Sequence, residues 1–508
     1  MTDAHLVLDP SAPVGPVQPE LFGSFVEHLG RCVYDGIYEP EHPSADEHGF
    51  RTDVMALVRE LGVTTVRYPG GNFVSGFQWE DSVGPVAERP RRLDLAWHST
   101  ETNEVGLHEF ADWLDGVGSE LMLAVNLGTR GVREALDLLE YANVPASVRT
   151  ALTERRRANG RTDPFGVRIW CLGNEMDGPW QLGHRSADDY GKLAAETARA
   201  MRQLDPDVRL VVCGSSSSSM PTFGDWERTV LTHTYDLVDL ISCHAYWQER
   251  DGDLTGFLAS AVDMDRMIEA VVATADAVGA ALRNPKRIQI SFDEWNVWYN
   301  DRFEQVDRIE GIGTWPVGPR LLEDVYTVAD AVVVGSLLIS LLNHADRVTA
   351  ASLAQLVNVI APIMTEPGGP AWRQTTFFPF AETSRLGRGT ALRVAVTADS
   401  VPTAPYGPVP LITAAATRSG TSTTLFVVNR GQDGDQQVTV DLGRLPPQRV
   451  VAARTLHDAD PYAANTLSDR ERVALQDNPT ATLSGSTLRI ALPAVSWTVV
   501  ELDDRAGE

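Results

Sequence analysis

Two apolar runs in this chain each end in a glutamate. The first lies in the segment VRIWCLGNEMD, residues 167–177, where the apolar run ends in Gly173, Asn174 and Glu175. The second lies in the segment IQISFDEWN, residues 288–296, where the apolar run ends in Asp293, Glu294 and Trp295. Such runs are typical of buried strands whose last residues emerge into a pocket. A carboxylate at the end of each of two strands predicts acid/base or nucleophilic chemistry at the rim of a barrel.

Two opposed carboxylates are what the cleavage of a glycosidic bond requires. One group protonates the leaving oxygen, and in a retaining enzyme the second is a nucleophile whose carboxyl group lies about 5–5.5 Å from the first. The amide of Asn174 is placed to hold a sugar hydroxyl. We expect Arg67 and Tyr246, at the ends of other predicted strands, to help keep Glu294 ionised.

The ends of the predicted strands together carry amides, carboxylates and aromatic rings. Amides and carboxylates bond sugar hydroxyls, and indole or phenol faces cover sugar C–H surfaces. A cluster of glycines and lysines suited to phosphate is missing from these positions, so the sequence predicts a carbohydrate site. The candidates are Glu27, His28, Arg67, Tyr68, Asn72, Asn126, Asn174, Glu175, His244, Tyr246, Trp247, Glu294, Trp295, Trp298, Gln355 and Asn358.

Apolar runs alternate with helical stretches from about residue 20 to residue 380. Eight such repeats predict an α/β fold, a (β/α)8 TIM barrel, over residues 19–380. The predicted strands are Leu21–Glu27, Thr64–Tyr68, Leu121–Asn126, Val167–Asn174, Arg209–Gly214, Leu240–Tyr246, Ile288–Glu294 and Val348–Leu353. Predicted helices between them include Arg51–Leu61, Leu107–Gly116, Ala187–Leu204 and Val262–Val278.

Short alternating runs separated by turn residues follow residue 380. They predict an antiparallel, jelly-roll-like β-sandwich over residues 381–508. Residues 1–18 contain the run HLVLDP, which we expect to join the sandwich because it precedes the barrel and needs a partner sheet. Periodicity does not decide whether the sandwich packs on the barrel or mediates assembly. Its predicted strands are Ala391–Thr397, Thr423–Val428, Gln437–Leu442, Leu488–Leu492 and Trp497–Leu502.

The composition disfavours several classes of function. A formal net charge of -26 makes nucleic acid and anionic membrane surfaces unfavourable partners. The apolar run Ala329–Leu342 is shorter than the roughly 18 residues of a membrane span, and the N-terminus lacks the pattern of a secretory signal, so we expect a cytoplasmic protein. The four cysteines and the histidines lack the spacing of metal or redox motifs. We therefore predict no metal and no cofactor.

Four segments resemble those of the α-L-arabinofuranosidases of glycoside hydrolase family 51. They read GSFVEHLGRCVYDGIYEP, VRYPGGNFVSGFQWEDSVGP, WCLGNEMDGPWQ and SFDEWNVWY, and the resemblance runs through the barrel into the sandwich. It implies a retaining mechanism without a metal and commonly a hexamer. The implied activity removes terminal arabinofuranosyl residues from arabinan- or arabinoxylan-derived oligosaccharides.

The resemblance also implies roles for individual residues. Glu175 in GNE would be the acid/base, and Glu294 in DEW would be the nucleophile. His244 would lie near Glu294 and help to order it. The arabinose hydroxyls would be held by Glu27, Asn72, Asn174, Tyr246 and Gln355. The leaving-group side would be lined by Trp97, Trp180 and Trp298.

Taken residue by residue, other interpretations stay open. Glu175 alone could be a carboxylate favoured at a helix N-terminus, His244 a satisfied core histidine, and Asn72 a turn residue after two glycines. A barrel of this type could instead cleave β-glucosidic or β-xylosidic bonds. It could also be a non-catalytic sugar-binding protein, although the presence of both glutamates argues against this. The linkage preference among 1,2, 1,3 and 1,5 bonds is left open.

Overall fold

The structure, a computed structural model, describes residues 3–505. Its strands are β1 (Ala4–Pro16), β2 (Gly23–Phe25), β3 (Thr65–Tyr68), β4 (Arg92–Asp94), β5 (Ser99–Glu101), β6 (Glu120–Val125), β7 (Ile169–Leu172), β8 (Arg209–Val212), β9 (Leu240–Trp247), β10 (Gln289–Val297), β11 (Val348–Ala354), β12 (Ile363–Thr365), β13 (Ala371–Arg373), β14 (Thr390–Thr397), β15 (Ser400–Thr403), β16 (Gly407–Pro410), β17 (Ile412–Ser419), β18 (Ser422–Asn429), β19 (Gln436–Asp441), β20 (Gln448–Leu456), β21 (Gln476–Asp477), β22 (Thr482–Ser484), β23 (Thr487–Leu492) and β24 (Ser496–Asp504). Its α-helices are α1 (Thr52–Leu61), α2 (Leu107–Val117), α3 (Val132–Asn143), α4 (Ala151–Ala158), α5 (Ala187–Leu204), α6 (Asp225–Thr234), α7 (Leu254–Leu258), α8 (Ala261–Leu282), α9 (Asn300–Arg302), α10 (Val328–Asn343) and α11 (Phe377–Leu386).

Eight parallel strands close into a barrel in the order β10-β11-β2-β3-β6-β7-β8-β9. Each of the eight predicted strands is present, and the predicted fold class is confirmed. The first strand is shorter than predicted, because Pro19–Phe22 forms a turn of 3-10 helix before Gly23–Phe25. Glu27 therefore lies beyond the end of its strand, at the rim of the barrel.

Helices cover the outside of the barrel with their apolar faces. In α5, the buried side chains of Tyr190, Ala194, Ala198 and Met201 recur at helical spacing and face the barrel. The side chain of Ser186 accepts a hydrogen bond from the amide of Asp189 and caps the start of the helix. Helix α10 differs, because fifteen of its sixteen residues are buried. Within residues 3–505, none of the helices has the length and apolar character needed to cross a membrane.

Ten strands form a second sheet, which includes the N-terminal strand β1. The order is β21-β20-β24-β18-β17-β14-β1-β19-β23-β22, in which β1 pairs antiparallel with β14 and parallel with β19. The sheet folds over a core of its own, to which β18 contributes Leu425 and Val427. The alternate residues of β18, Phe426 and Val428, join the core of the barrel. This alternation shows that one face of the sheet packs inside the sandwich and the other against the barrel.

Helix α10 lies between the two units. Trp497 of β24 packs so closely on Gly335 of α10 that a Cβ atom there would lie 2.2 Å from its Cδ1 atom. The sandwich therefore packs directly on the barrel. A boundary between residues 380 and 381 falls inside α11, which contacts α1 and α10. We propose that the barrel unit continues to Leu386 and that β1 belongs to the sandwich; the ends of the predicted units, residues 1–2 and 506–508, lie outside the described residues.

Candidate active site

Glu175 and Glu294 lie together at the C-terminal rim of the barrel. Glu175 follows β7, and Glu294 lies within β10, where it pairs in register with His244 of β9. Both glutamates are buried. One carboxylate oxygen from each glutamate and one ring nitrogen of His244 all lie within 4.8 Å of one another. The two strands thus bring their carboxylates to opposite sides of one small space.

The backbone turn after β7 directs the carboxylate of Glu175. Its φ of 42° lies in the left-handed region that residues other than glycine seldom adopt. The amide of Gly178 donates to the Glu175 carbonyl at 2.9 Å and closes the turn. The indole of Trp180 donates to Oε2 of Glu175 at 2.7 Å, and Nδ1 of His244 lies 2.9 Å from Oε1.

His244 connects three carboxylates. Its Nδ1 atom lies 2.9 Å from Glu175 and 3.6 Å from Glu294, and its Nε2 atom lies 2.8 Å from Oδ1 of Asp293. Burial alone lowers the pKa of His244, but the three carboxylates outweigh it and raise this pKa to about 10. The resemblance implied an ordering contact with Glu294, whereas the shortest contacts are to Asp293 and Glu175.

Glu294 is held by two donors from other strands. Nη1 of Arg67 lies 2.8 Å from Oε1, and the hydroxyl of Tyr246 donates to Oε2 at 2.8 Å. Burial nevertheless raises the pKa of Glu294 above its ordinary value; His244 and Arg67 oppose this shift, while the charge of Glu175 adds to it. The neighbours of Glu294 thus offset only part of the effect of burial on its ionisation.

Two amides lie beside the glutamate pair. Nη2 of Arg67 donates to Oδ1 of Asn174 at 2.6 Å and fixes the orientation of this amide. Nδ2 of Asn174 lies 3.4 Å from Oδ1 of Asn72, which begins the short 3-10 helix after β3. The two amides therefore face the same part of the rim and offer donors and acceptors to a hydroxylated ligand.

Glu27 is the centre of a neighbouring group. Its Oε1 atom accepts hydrogen bonds from the amide of Phe73 and the indole of Trp97, each at 2.8 Å. Its Oε2 atom accepts from Nε2 of Gln355 at 3.2 Å. Burial raises the pKa of Glu27 to about 8, although the hydrogen bonds from Phe73 and Trp97 partly oppose the shift. The Glu27 carboxyl group therefore titrates much closer to neutral pH than an ordinary glutamate does.

Aromatic rings complete the rim. The ring of Trp298 meets that of Tyr246 edge to face at 5.2 Å between centroids. Phe303 lies 5.9 Å from Trp97 and 6.4 Å from Trp298, and so links the Glu27 group to the Glu294 group. Trp180 is 53% exposed and presents a free indole face to solvent. All eleven residues predicted for the site therefore lie in two adjoining groups at one end of the barrel.

Asp293 is the functional candidate that sequence reasoning missed. In a regular strand it would point away from the side occupied by Glu294. The pairing of β10 with β9 shifts register between Ser291 and Glu294, which lets both carboxylates approach His244. Burial raises the pKa of Asp293, but Arg67 and His244 outweigh this and lower it. No local sequence signal marks such a shift in register.

The same site contains side chains of the types that bind metal ions. Among the described residues, Glu175, His244 and Glu294 form the one group of three potential ligands. Arg67 binds Glu294 and places a guanidinium charge beside this group. A divalent cation would be repelled by that charge, so the donor set fits proton transfer and nucleophilic attack better than it fits a metal.

Comparisons with known proteins agree with this geometry. Residues 57–264 match the model of the α-L-arabinofuranosidase 1 domain, and residues 293–496 match that of the α-L-arabinofuranosidase C-terminal domain. A Streptomyces lividans protein named intracellular exo-α-(1→5)-L-arabinofuranosidase is 60% identical over 100% of this chain and 76% of its own length. A Bifidobacterium longum protein named exo-α-(1→6)-L-arabinofuranosidase is 59% identical over 99% of this chain and 98% of its own.

A solved structure of an α-L-arabinofuranosidase is similar to this chain over almost its whole length. A family 51 α-L-arabinofuranosidase from Bifidobacterium longum superposes with a TM-score of 0.94 at 50% identity, covering 99% of this chain and 100% of the other. A barrel with paired rim carboxylates and relatives of this kind define a glycoside hydrolase. Within that class, the chain belongs to the α-L-arabinofuranosidases of glycoside hydrolase family 51.

Proposed function

We propose that this enzyme removes terminal α-L-arabinofuranosyl residues from arabinan- or arabinoxylan-derived oligosaccharides, with retention of configuration. The observation that carries the proposal is the closeness of the two glutamates, whose nearest oxygens lie within 4.8 Å. Retaining glycosidases place their carboxyl groups about 5–5.5 Å apart, whereas inverting enzymes need about 6.5–9.5 Å to admit a water molecule. The spacing supports two successive displacements.

In the first displacement, a Glu294 oxygen attacks the anomeric carbon while Glu175 donates its proton to the leaving oxygen. The bond from the anomeric carbon to the leaving group breaks, and an ester bond to Glu294 forms. Arg67 and Tyr246 hold the Glu294 carboxylate in one orientation. Positive charge that develops on the sugar favours the ionised form of Glu294 and counteracts the effect of its burial.

In the second displacement, water attacks the anomeric carbon and Glu175 takes up a proton from it. The ester bond breaks, which restores the carboxylate of Glu294 and the protonated form of Glu175. His244 touches Glu175, Glu294 and Asp293, and so orders these carboxylates through both steps.

The surrounding side chains suit one sugar unit and its leaving group. We propose that the arabinose hydroxyls bind Glu27, Asn72, Asn174, Tyr246 and Gln355. On the leaving-group side, the proposed contacts are Trp97, Trp180 and Trp298. The exposed indole of Trp180 beside the acid/base supports this division.

Substrate class and linkage are open to direct measurement. A panel of aryl glycosides tests the class, and we expect the α-L-arabinofuranoside to be preferred over β-xylopyranosides and β-glucopyranosides. Preference for a pyranoside would overturn the proposal. The two relatives above are named for 1→5 and 1→6 activity at nearly equal identity. Arabinobioses of defined linkage, compared by kcat/KM, would therefore assign the natural bond.

We also propose that the enzyme acts inside the cell on imported oligosaccharides, as a homohexamer without a metal or other cofactor. The name of the Streptomyces lividans relative supports the location, and the family resemblance supports the assembly. Light scattering of the purified protein should give six times the chain mass of 55.4 kDa. A monomeric mass would contradict the proposed assembly, and loss of activity on exhaustive chelation would contradict the absence of a metal.

A further inference from the structure

Trp97 lies at the tip of a small hairpin, which we call the Trp97 hairpin, made of residues 92–101. Its strands β4 and β5 pair from Arg92 with Glu101 to Asp94 with Ser99. The outer face carries Leu93 and Leu95, which are 56% and 63% exposed. Three-residue strands with one face in water hold their position poorly by themselves, so the position of Trp97 depends on contacts with the rest of the rim. Some lie along β5, where the amide of Thr100 donates to the carbonyl of Pro316 at 2.9 Å, and others lie at the base of the hairpin.

The base is held by a buried contact between Glu101 and His28. Oε2 of Glu101, the last residue of the hairpin, lies 2.8 Å from Nδ1 of His28, and both side chains are at most 5% exposed. Nε2 of His28 lies 2.8 Å from the hydroxyl of Tyr68 at the end of β3. The other oxygen of Glu101 accepts hydrogen bonds from the hydroxyl of Tyr34 and, at 2.6 Å, from the amide of Asn103. Burial raises the pKa of Glu101, but His28 and these donors outweigh it and lower this pKa.

The partners of the hairpin are consecutive in the chain. His28 binds the base of the hairpin through Glu101, and Glu27 accepts the indole N–H of Trp97 at its tip. Glu27 and His28 follow β2 after a single residue, Val26, so two adjacent residues at the barrel rim contact both ends of the hairpin. Phe73 stacks on the ring of His28 at 4.8 Å between centroids and limits its rotation.

We propose that His28 and Glu101 are positioning residues, which hold the Trp97 indole beside Glu27 so that the sugar of the leaving group can bind there. This inference rests on the proposed function, in which Trp97 lies on the leaving-group side. A buried polar pair commonly contributes little net stability compared with an apolar pair of the same shape. Control of geometry is therefore the more specific role for a polar pair at the base of the hairpin that carries a binding residue.

The test is a double-mutant cycle between Glu101→Gln and Trp97→Ala, measured with an arabino-oligosaccharide and an aryl arabinofuranoside. For the oligosaccharide, we expect Glu101→Gln to raise KM about tenfold with little change in kcat, since a small displacement can cost this much. For the aryl substrate, Glu101→Gln should change KM by less than about threefold. In the Trp97→Ala background, Glu101→Gln should have almost no further effect on the oligosaccharide.

Arg92→Ala is the matched control. It removes an exposed ion pair on the same hairpin, between Nε of Arg92 and Asp81 at 2.7 Å. We expect this variant to keep its KM for both substrates. If Glu101→Gln does not fold, as judged by circular dichroism and Tm, the cycle is run with His28→Gln, for which the same non-additive loss is expected.

Additive effects of the two substitutions, or equal losses with both substrates, would overturn the inference. The proposed function fails in a different way, through retained turnover in Glu294→Ala. If Glu294→Ala is inactive while Trp97→Ala leaves the oligosaccharide KM unchanged, only the role of the hairpin is refuted.

Discussion

Tyr246 donates its hydroxyl to Oε2 of Glu294 at 2.8 Å, from the strand next to the one that carries the glutamate. The bond fixes the oxygen that is nearest to His244. A hydrogen bond to a charged group is worth about 1.5–3 kcal/mol, which corresponds to about 10- to 150-fold in rate. We expect Tyr246→Phe to lower kcat/KM on an aryl arabinofuranoside by this factor.

The control for Tyr246 is Tyr235→Phe. The Tyr235 hydroxyl donates to the carbonyl of Lys286 at 3.0 Å, outside the site, and its loss should leave kcat/KM unchanged. Equal rates for the Tyr246→Phe variant and the unmodified enzyme would show that this bond does not position a reacting group.

Removal of the proposed acid/base should produce a loss that depends on the leaving group. With Glu175→Ala, an aryl arabinofuranoside that has a good leaving group needs little protonation to form the glycosyl-enzyme. With a poor leaving group, kcat/KM should fall by about 10²–10⁴-fold. Steady-state kinetics over a series of phenols of rising pKa would show this steepened dependence. A uniform loss across the series would be inconsistent with general acid catalysis by Glu175.

Arg67 should set the acid limb of the pH profile. Its charge favours the ionised form of Glu294, so Arg67→Gln should raise the pKa of that carboxyl. Glu294 would then ionise at higher pH. The acid limb of the kcat/KM profile should therefore shift to higher pH by about one pH unit or more. Arg168→Gln, which breaks a surface ion pair with Glu120, is the control. An unmoved acid limb in Arg67→Gln would contradict the role of this arginine.

The contribution of Asp94 to stability should decrease as pH rises towards neutrality. Burial raises the pKa of Asp94 to about 7, even though backbone amides oppose the shift. Because an unfolded aspartate titrates near about 4, the folded chain keeps a proton between these values that the unfolded chain has lost. The contribution of Asp94 to the free energy of unfolding therefore falls as pH rises from about 4 to about 7. His244 contributes in the same direction at higher pH. Its pKa is raised to about 10, so its contribution to the free energy of unfolding falls as pH rises above the ordinary pKa of histidine.

Asp94→Asn should weaken this dependence, since the amide cannot titrate. In thermal unfolding at about pH 5, 6, 7 and 8, the Tm of Asp94→Asn should rise relative to that of the unmodified chain as the pH increases. Asp112→Asn, at an exposed position, should keep the original dependence. Identical curves for Asp94→Asn and the unmodified enzyme would refute this contribution of Asp94.

The contact between barrel and sandwich should be sensitive to a single methyl group. At Gly335, a Cβ atom would lie 2.2 Å from Trp497. Overpacking of this kind costs about 1–3 kcal/mol, so Gly335→Ala should lower Tm while Gly313→Ala, in open space, should not. An unchanged Tm for Gly335→Ala would mean that the two units can separate slightly without loss of stability.

The barrel could be predicted because its strands are buried on both faces and appear as continuous apolar runs. Helix α5, with its capping serine and regular apolar spacing, was predicted from Ala187 to Leu204 as observed. Strand β17 was missed, since its sequence ITAAATRS has little apolar alternation. The Trp97 hairpin was missed for a similar reason: three-residue strands are too short to show a period.

The chemistry of individual site residues was visible in the sequence, but their contacts were not. Glu175 and Glu294 each stand at the end of a recognisable apolar run in the sequence. By contrast, the contact of Asp293 with His244 depends on a shift of register within β10. The pairing of His28 with Glu101 joins residues that are far apart in the chain and have no common motif. Such relationships follow from the closure of the barrel and the placement of loops, which local patterns do not encode.

The stereochemistry of the first product tests the central claim most directly. The enzyme is given an aryl α-L-arabinofuranoside with methanol as acceptor, and the methyl arabinofuranoside formed is analysed by proton NMR. Two displacements between carboxylates whose oxygens lie within 4.8 Å predict the methyl α-L-arabinofuranoside. Formation of the β-anomer alone would contradict a glycosyl-enzyme on Glu294 and indicate a single displacement.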